Sequence, residues 1–275
     1  MGRGLQPGQA SLLVAPGAHR QASVDYWNAV APIYDRGAGH SLRNVAERRA
    51  WAVVLSECLP RPPARFLDLG TGTGFLAYLL NDLGYEVVGI DLSSSMLSVA
   101  QARVTRSNMT VTLLNGDVSD LPFKDASFDG VLSRYVLWSL PHPEASLAEW
   151  CRVCRAGSMV MAIDGQWWQN RWDARLQHGL GRVLEWWHER NEPPTPWPQL
   201  DDYYTTELRE SLPLRSQEDP QGVVNLFQRA GLESVQLKWL HQVRRVEKEL
   251  LPLRRRLRYQ PKFLVTGKIG EHYAG

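Results

Sequence analysis

The run FLDLGTGTGF, from Phe66 to Phe75, joins a short apolar segment to three glycines at alternate positions. Phe66, Leu67 and Leu69 have the character of a buried parallel strand. Gly70, Gly72 and Gly74 follow, and then Leu76, Leu79, Leu80 and Leu83 recur at helical spacing up to Gly84. Strand, glycine turn and helix form the entry to a nucleotide-type site. Glycine suits the turn because the backbone needs unusual angles there and because a Cβ would hold a ligand off the main chain. The N–H groups opening the helix are available to a carboxylate or another polar ligand group.

Glycine spacing alone is a weak signal, and the next element strengthens it. Glu86 to Ile90 (EVVGI) reads as a second strand with Asp91 at its end. That carboxylate falls about 20 residues beyond the first glycine, where such folds hold ribose hydroxyls. A dinucleotide fingerprint would need glycine or alanine at position 75, and Phe75 stands there instead. The pattern is Gly-x-Gly-x-Gly preceded by Asp68. With these residues the chain resembles the class I S-adenosylmethionine-dependent methyltransferases, most of all their small-molecule branch with its ubiquinone- and menaquinone-type enzymes. The resemblance implies a Rossmann-like, doubly wound α/β fold. Its seven-stranded sheet would be mostly parallel, with an antiparallel last strand, and its cofactor would be S-adenosylmethionine. It covers residues 24–165 through motifs and 220–270 through topology.

The same resemblance distributes roles along the chain. An N-terminal segment ending in a Tyr-Asp pair folds over the cofactor in that family, which puts Tyr34 near the methionine part and Tyr26 and Trp27 at the entrance. Tyr26, Trp27 and Val30 also share a helical face, so plain packing on the core is the alternative. Thr71 in the turn, and Leu92 and Met96 just past Asp91, complete the expected contacts on that side. Thr110 to Leu114 reads as a third strand. Asp117 and Val118 after it match the family's adenine position, the acid at the amino group and its neighbour through backbone contact. Phe128 to Ser133 reads as a fourth strand leading into Arg134, Tyr135 and Trp138. Parallel sheets bind ligands at their carboxyl ends, so Ser133, Arg134 and Tyr135 are expected at the cofactor and Trp138 beside the substrate. The Asn-Pro-Pro-Tyr-like loop common in enzymes that methylate nucleic-acid amines is missing from Ser133-Arg134-Tyr135-Val136, which argues against base methylation.

Composition bounds the remaining possibilities. The chain has 275 residues, 44% of them hydrophobic, which suits one large domain or a core with a cap. A formal charge of +2 carries no polyanion-binding signature. No apolar run reaches the length of a membrane span, and the short run Leu12 to Ala15, broken by Pro16, argues against a signal peptide. Cys58, Cys151 and Cys154 are an odd number, against a disulfide framework, so a cytoplasmic protein is expected. Cys151 and Cys154 fall on a helix expected over Pro143 to Arg155. Without further ligands they read as buried thiols rather than a metal site, and no metal is expected.

Four regions are expected. Residues 1–22 form a flexible extension, and 23–165 a cofactor-binding core with an N-terminal lid helix. Residues 166–219 form a helical cap, and 220–275 complete the sheet. A long helix is expected from His40 to Leu59, with His40 opening it beside the site. Ser158 to Ile163 reads as the fifth strand, ending at Asp164-Gly165. The next crossover helix, Gln221 to Gly231, comes roughly 55 residues later, longer than ordinary loops. That insert holds Trp167, Trp168, Trp172, Trp186, Trp187 and Trp197, six of the eleven tryptophans. Trp167 and Trp168, nearest the strand, are candidates for the substrate pocket together with Trp27 and Trp138. Glu233 to Leu240 and Lys262 to Ile269 supply the last two strands, the final one running antiparallel between its neighbours in the resembling family. The basic stretch RRVEKELLPLRRRLR between them reads as a solvated connector, given Glu247, Glu249 and Pro252.

Methyl transfer from a sulfonium needs no covalent enzyme intermediate; alignment and exclusion of water supply much of the rate. Aromatic rings favour a nearby cationic sulfur, and Tyr26, Tyr34, Tyr135 and Trp138 are placed to act so. Arg134 can hold a carboxylate bidentately. Where the acceptor carries a proton a base is needed, and His40, Tyr135, Asp164 and His188 are candidates. The leading reading is a methyltransferase acting on a small molecule, as a monomer or homodimer, without nucleic acid or membrane as partner. The alternatives are an azetidine-forming type of cyclase or lyase releasing methylthioadenosine, an RNA methyltransferase using the basic stretch, and a non-enzymatic cofactor-binding regulator.

Overall fold

The computed structural model describes residues 17–37, 39–165, 198, 200–214, 220–252, 256 and 259–271. Its framework is a seven-stranded sheet: β1 Arg65–Leu69, β2 Glu86–Asp91, β3 Val111–Asn115, β4 Phe128–Arg134, β5 Cys154–Gly165, β6 Glu233–Trp239 and β7 Lys262–Lys268. The strand order is β3-β2-β1-β4-β5-β7-β6. The first five strands are parallel, and β7 runs antiparallel to both β5 and β6, as the resemblance implied. The order reverses at β1, so a crevice opens at the carboxyl ends of β1 and β4.

Helices α1 Ala18–Val30, α2 Val45–Cys58, α3 Phe75–Asp82, α4 Ser94–Ser107 and α5 Pro143–Arg152 precede or connect the parallel strands. The short α6 Thr206–Glu210 is followed by α7 Gln221–Arg229 and α8 His241–Glu249. Leu147 and Trp150 of α5 and Val223 and Phe227 of α7 pack in one core cluster. Trp51 and Leu55 of α2, Leu76 and Leu80 of α3 and Val243 of α8 pack in another. A sheet whose central strands are buried needs such cover on both faces. β1 is buried along its length save Arg65.

Several boundaries differ from those read in the sequence. α1 begins at Ala18, so residues 18–22, assigned to the extension, are helical. The helix expected from His40 starts at Val45. Asn44 caps it by accepting from Glu47 N at 2.8 Å, while Glu47 reaches back to Arg43 N at 2.6 Å. This reciprocal cap fixes the start and leaves His40 in the preceding bend. α5 stops at Arg152 and Cys154 opens β5, so the two cysteines do not share a helix, although both are buried. The stretch read as a solvated connector begins as α8, which packs on α2 and buries Glu247. Of the proposed cap, residues 166–197, with Trp167, Trp168 and His188, lie outside the described residues. The part at 200–214 packs on α1, where Tyr204, Leu208 and Leu212 meet Ala22, Tyr26 and Val30.

Candidate active site

The carboxyl ends of β1, β2 and β4 and the segment after β3 converge on one cavity that is open to solvent. Tyr34, Gly70, Gly72, Asp91, Leu92, Met96, Asp117, Val118, Arg134 and Tyr135 line it, as does Trp27. Ser23, Val136, Ser139 and Leu140 also line it. These four carried no signal in the sequence beyond their places in α1 and after β4.

The glycine turn is built by side chains that the cavity does not show. Asp68 Oδ2 accepts from Thr71 Oγ1 at 2.6 Å and from Ala77 N at 3.0 Å, tying the end of β1 to the first turn of α3. Burial pushes the Asp68 carboxyl up to about 7, against these hydrogen bonds. Gly70, Gly72 and Gly74 all have positive φ. A Cβ at Gly70 would overlap Val136, whereas at Gly72 it would meet nothing nearer than the Gly70 carbonyl at 4.0 Å. The turn therefore leaves open space above Gly72. Asp68, Thr71 and Gly74 shape the turn and are not among the lining residues.

Asp91 stands across from it. Its Oδ2 accepts from Gly72 N at 2.7 Å and its Oδ1 from Ser93 N at 2.8 Å. Leu92 N–H is a third backbone donor to this carboxylate, which still has acceptor capacity for a ligand hydroxyl. Burial raises its pKa to about 6. At the far end Asp117 Oδ1 accepts from Ser119 N at 2.9 Å, and the Val118 carbonyl is held by Trp150 Nε1 at 2.9 Å. Arg134, 8% exposed, is the cation among the described lining residues; its guanidinium stacks over Phe75 at 3.6 Å. It also lies 4.7 Å from the Tyr135 ring and donates to Tyr135. Tyr135 is held at φ 63, a strained angle for a bulky residue and of the kind that gathers at functional sites.

Residues 17–37 and 39–41 close over this cavity through three polar latches. Asn28 Oδ1 accepts from Ser93 Oγ at 2.7 Å and from Ser95 N at 3.3 Å. Asp35 Oδ1 accepts from Thr73 Oγ1 at 2.7 Å, and its other oxygen pairs with Arg103. Arg134 Nη1 donates to the Gly39 carbonyl at 2.7 Å. In the sequence Asp35 stands out only as the acid of the Tyr-Asp pair, and no local pattern marks Asn28.

The structure separates the remaining candidates. Tyr26 is buried between Trp27, Tyr203 and Tyr204 and does not line the cavity. Ser133 is buried within the sheet. Trp138 stands 6.5 Å from the Trp27 ring, behind the lining. His40 stacks on Tyr34 with centroids 4.3 Å apart, and its Nδ1 donates to the Tyr34 carbonyl at 3.1 Å. Burial, with Arg134 nearby, drops its pKa to about 3, so the ring stays neutral. Asp164 is buried at the end of β5, where its Oδ1 accepts from Gly165 N at 2.8 Å. Among the described residues no three His, Cys, Asp or Glu side chains group as a metal site, and no helix is long and apolar enough to cross a membrane.

Residues 67–162 match the family model described as a methyltransferase domain. The chain is 32% identical over 140 residues to a demethylmenaquinone methyltransferase of Thermus thermophilus, covering 50% of this chain and 63% of the relative. It is also 32% identical over 146 residues to a chloroplastic 2-phytyl-1,4-beta-naphthoquinone methyltransferase of Arabidopsis thaliana, covering 50% of this chain and 55% of the relative. The chain thus spans less than two thirds of these relatives. Among solved structures, a Haemonchus contortus phosphoethanolamine N-methyltransferase in complex with S-adenosyl-L-methionine superposes with a TM-score of 0.62. That match has 15% identity and covers 94% of this chain and 61% of that one.

Proposed function

We propose that this chain is a class I S-adenosylmethionine-dependent methyltransferase. It transfers a methyl group from S-adenosylmethionine to a small-molecule acceptor, and the names of its relatives point to a quinone-type ring. The observation that carries this reading is the pairing of Asp91 with the glycine turn. A buried carboxylate, held by Gly72 N and Ser93 N, faces the open space that the turn leaves.

The residues fit the cofactor part by part. Asp91 would accept the ribose hydroxyls, and Asp117, Val118, Leu92 and Met96 would hold the adenine. Arg134 holds the carboxylate of the amino-acid end. When bound, the cofactor supplies an electrophilic methyl on a sulfonium. The protein's share is alignment and a dry cavity, because Tyr34 and Trp27 close over it and the three latches hold them there. Tyr135 lines the cavity and is the group offered to the acceptor side, whereas His40 and Asp164 stand outside the lining. The neutral His40 does not compete with the cofactor's positive charge.

The test is calorimetric titration with S-adenosylmethionine and S-adenosylhomocysteine, then product analysis with demethylmenaquinone-type and other small acceptors. Micromolar binding of both, with adenosylhomocysteine formed only when acceptor is present, supports the proposal. Methylthioadenosine formed by the protein alone would replace it with cyclisation or cleavage of the cofactor. No binding of either would sink it.

A further inference from the structure

Lys262, at the start of β7, and Glu247, on α8, form an ion pair with side chains 5% and 1% exposed. Lys262 Nζ donates to Glu247 Oε2 at 2.6 Å and to Tyr259 Oη at 2.8 Å. Tyr259 Oη donates to the same Oε2 at 2.8 Å, and Trp51 Nε1 approaches Oε1 at 3.4 Å. The ammonium sits 5.8, 5.9 and 5.1 Å from the rings of Tyr135, Trp51 and Tyr259. These groups satisfy one another. Such a closed network holds a shape rather than passing a proton.

The shape it holds bears on the cavity through Gly39. A Cβ at Gly39, whose φ is 70, would overlap Tyr259 Oη and Lys262 Nζ and stand 3.0 Å from Glu247 Oε1. On its other side the Gly39 carbonyl accepts from Arg134 Nη1 at 2.7 Å. The backbone of this turn is therefore gripped between the ionic cluster and the cavity's arginine. A buried ion pair adds little net stability compared with apolar residues of the same volume, whereas it can specify one arrangement.

We propose that Glu247, Lys262 and Tyr259 are positioning residues which, through Gly39, set the Arg134 guanidinium as the anchor for the carboxylate of the cofactor's amino-acid end. This rests on the cofactor reading above. The cluster does not touch the ligand. It decides where the cation that does so stands.

Two probes separate positioning from plain structure. S-adenosylhomocysteine carries the carboxylate; 5′-methylthioadenosine shares its adenine, ribose and thioether but lacks the amino-acid end. Each is titrated calorimetrically into the wild type, Glu247→Leu/Lys262→Met, Arg134→Ala and the triple variant, with thermal melts alongside. Gly39→Ala, which strikes the same contact from the turn, replaces the paired variant if that one melts low. The expected result is at least tenfold weaker S-adenosylhomocysteine binding in the cluster variant, with methylthioadenosine changed by less than about twofold. In the Arg134→Ala background the cluster substitutions should add no further loss. Unchanged S-adenosylhomocysteine binding, an equal loss for both probes, or full additivity with Arg134→Ala would overturn the proposal. A wild type that binds neither probe would instead overturn the cofactor reading on which it rests.

Discussion

Asp91 concentrates much of the site's binding chemistry in one carboxylate. It orients the glycine turn through Gly72 N and opens α4 through Ser93 N, and it retains acceptor capacity for a ligand. Asp91→Ala should weaken S-adenosylhomocysteine at least tenfold, about 1.4 kcal/mol, by calorimetry. Burial raises its pKa to about 6, so in the ligand-free protein the native state holds a proton that the unfolded chain releases near the ordinary 3.8. The carboxylate's burial therefore destabilises the protein above pH 6, and this cost is relieved as the pH falls through 6. Compared with the wild type, Asp91→Asn should gain relative stability between pH 5 and pH 8, as read from denaturant midpoints at each pH. Ligand affinity should move the other way. An acceptor-only carboxylate binds a diol better than its protonated form does, so wild-type affinity for S-adenosylhomocysteine should fall between pH 7 and pH 5.

The glycine turn and the lid it meets behave as one element with two kinds of sensitivity. Gly70 and Gly72 both lie at positive φ, but only Gly70 has a protein neighbour, Val136, where a Cβ would go. Gly70→Ala should cost both folding stability, about 1–3 kcal/mol, and ligand binding. Gly72→Ala should cost about 1 kcal/mol of stability through its φ and lose most of its ligand affinity, because the added methyl enters the open space. Melts and titrations of the two variants would separate those patterns, and equal affinity losses would argue against a ligand above Gly72. The lid depends on Asp35, which joins it to Thr73 in the turn and to Arg103 on α4. Asp35→Ala should raise hydrogen exchange across residues 30–41 while leaving β1 protected. The Tyr34-Asp35 pair was visible in the sequence as a lid signature. Its partners were not, because Thr73 and Arg103 lie 38 and 68 residues away and no local periodicity links them.

Across the molecule, what was legible depended on how local its cause is. The strands up to β5 and the turn were readable from apolar runs, glycines and the acid after β2, since each is a neighbour effect in the chain. The antiparallel β7 came with the resemblance. His40 was read into a helix because apolar spacing alone does not show where the Asn44 and Glu47 cap cuts it. Glu247 was read as a mark of solvation, since a charge in a basic stretch gives no sign of the lysine that meets it from another strand. That error points to how the ends of the chain are joined. α8 and β7 bring Glu247 and Lys262 against Gly39, so C-terminal elements brace the N-terminal turn that accepts from Arg134. The last prediction follows from that arrangement. Glu247→Ala alone leaves the Lys262 ammonium buried without its anion, and should lower stability by about 3–5 kcal/mol. Glu247→Leu/Lys262→Met removes both charges, fills similar volume and should melt within a few degrees of the wild type. If the single and paired variants lost equal stability, the pair would be holding the fold up by its charge. If the single variant lost far more, the charge would be dispensable for folding, and its retention would have to be explained by what it positions.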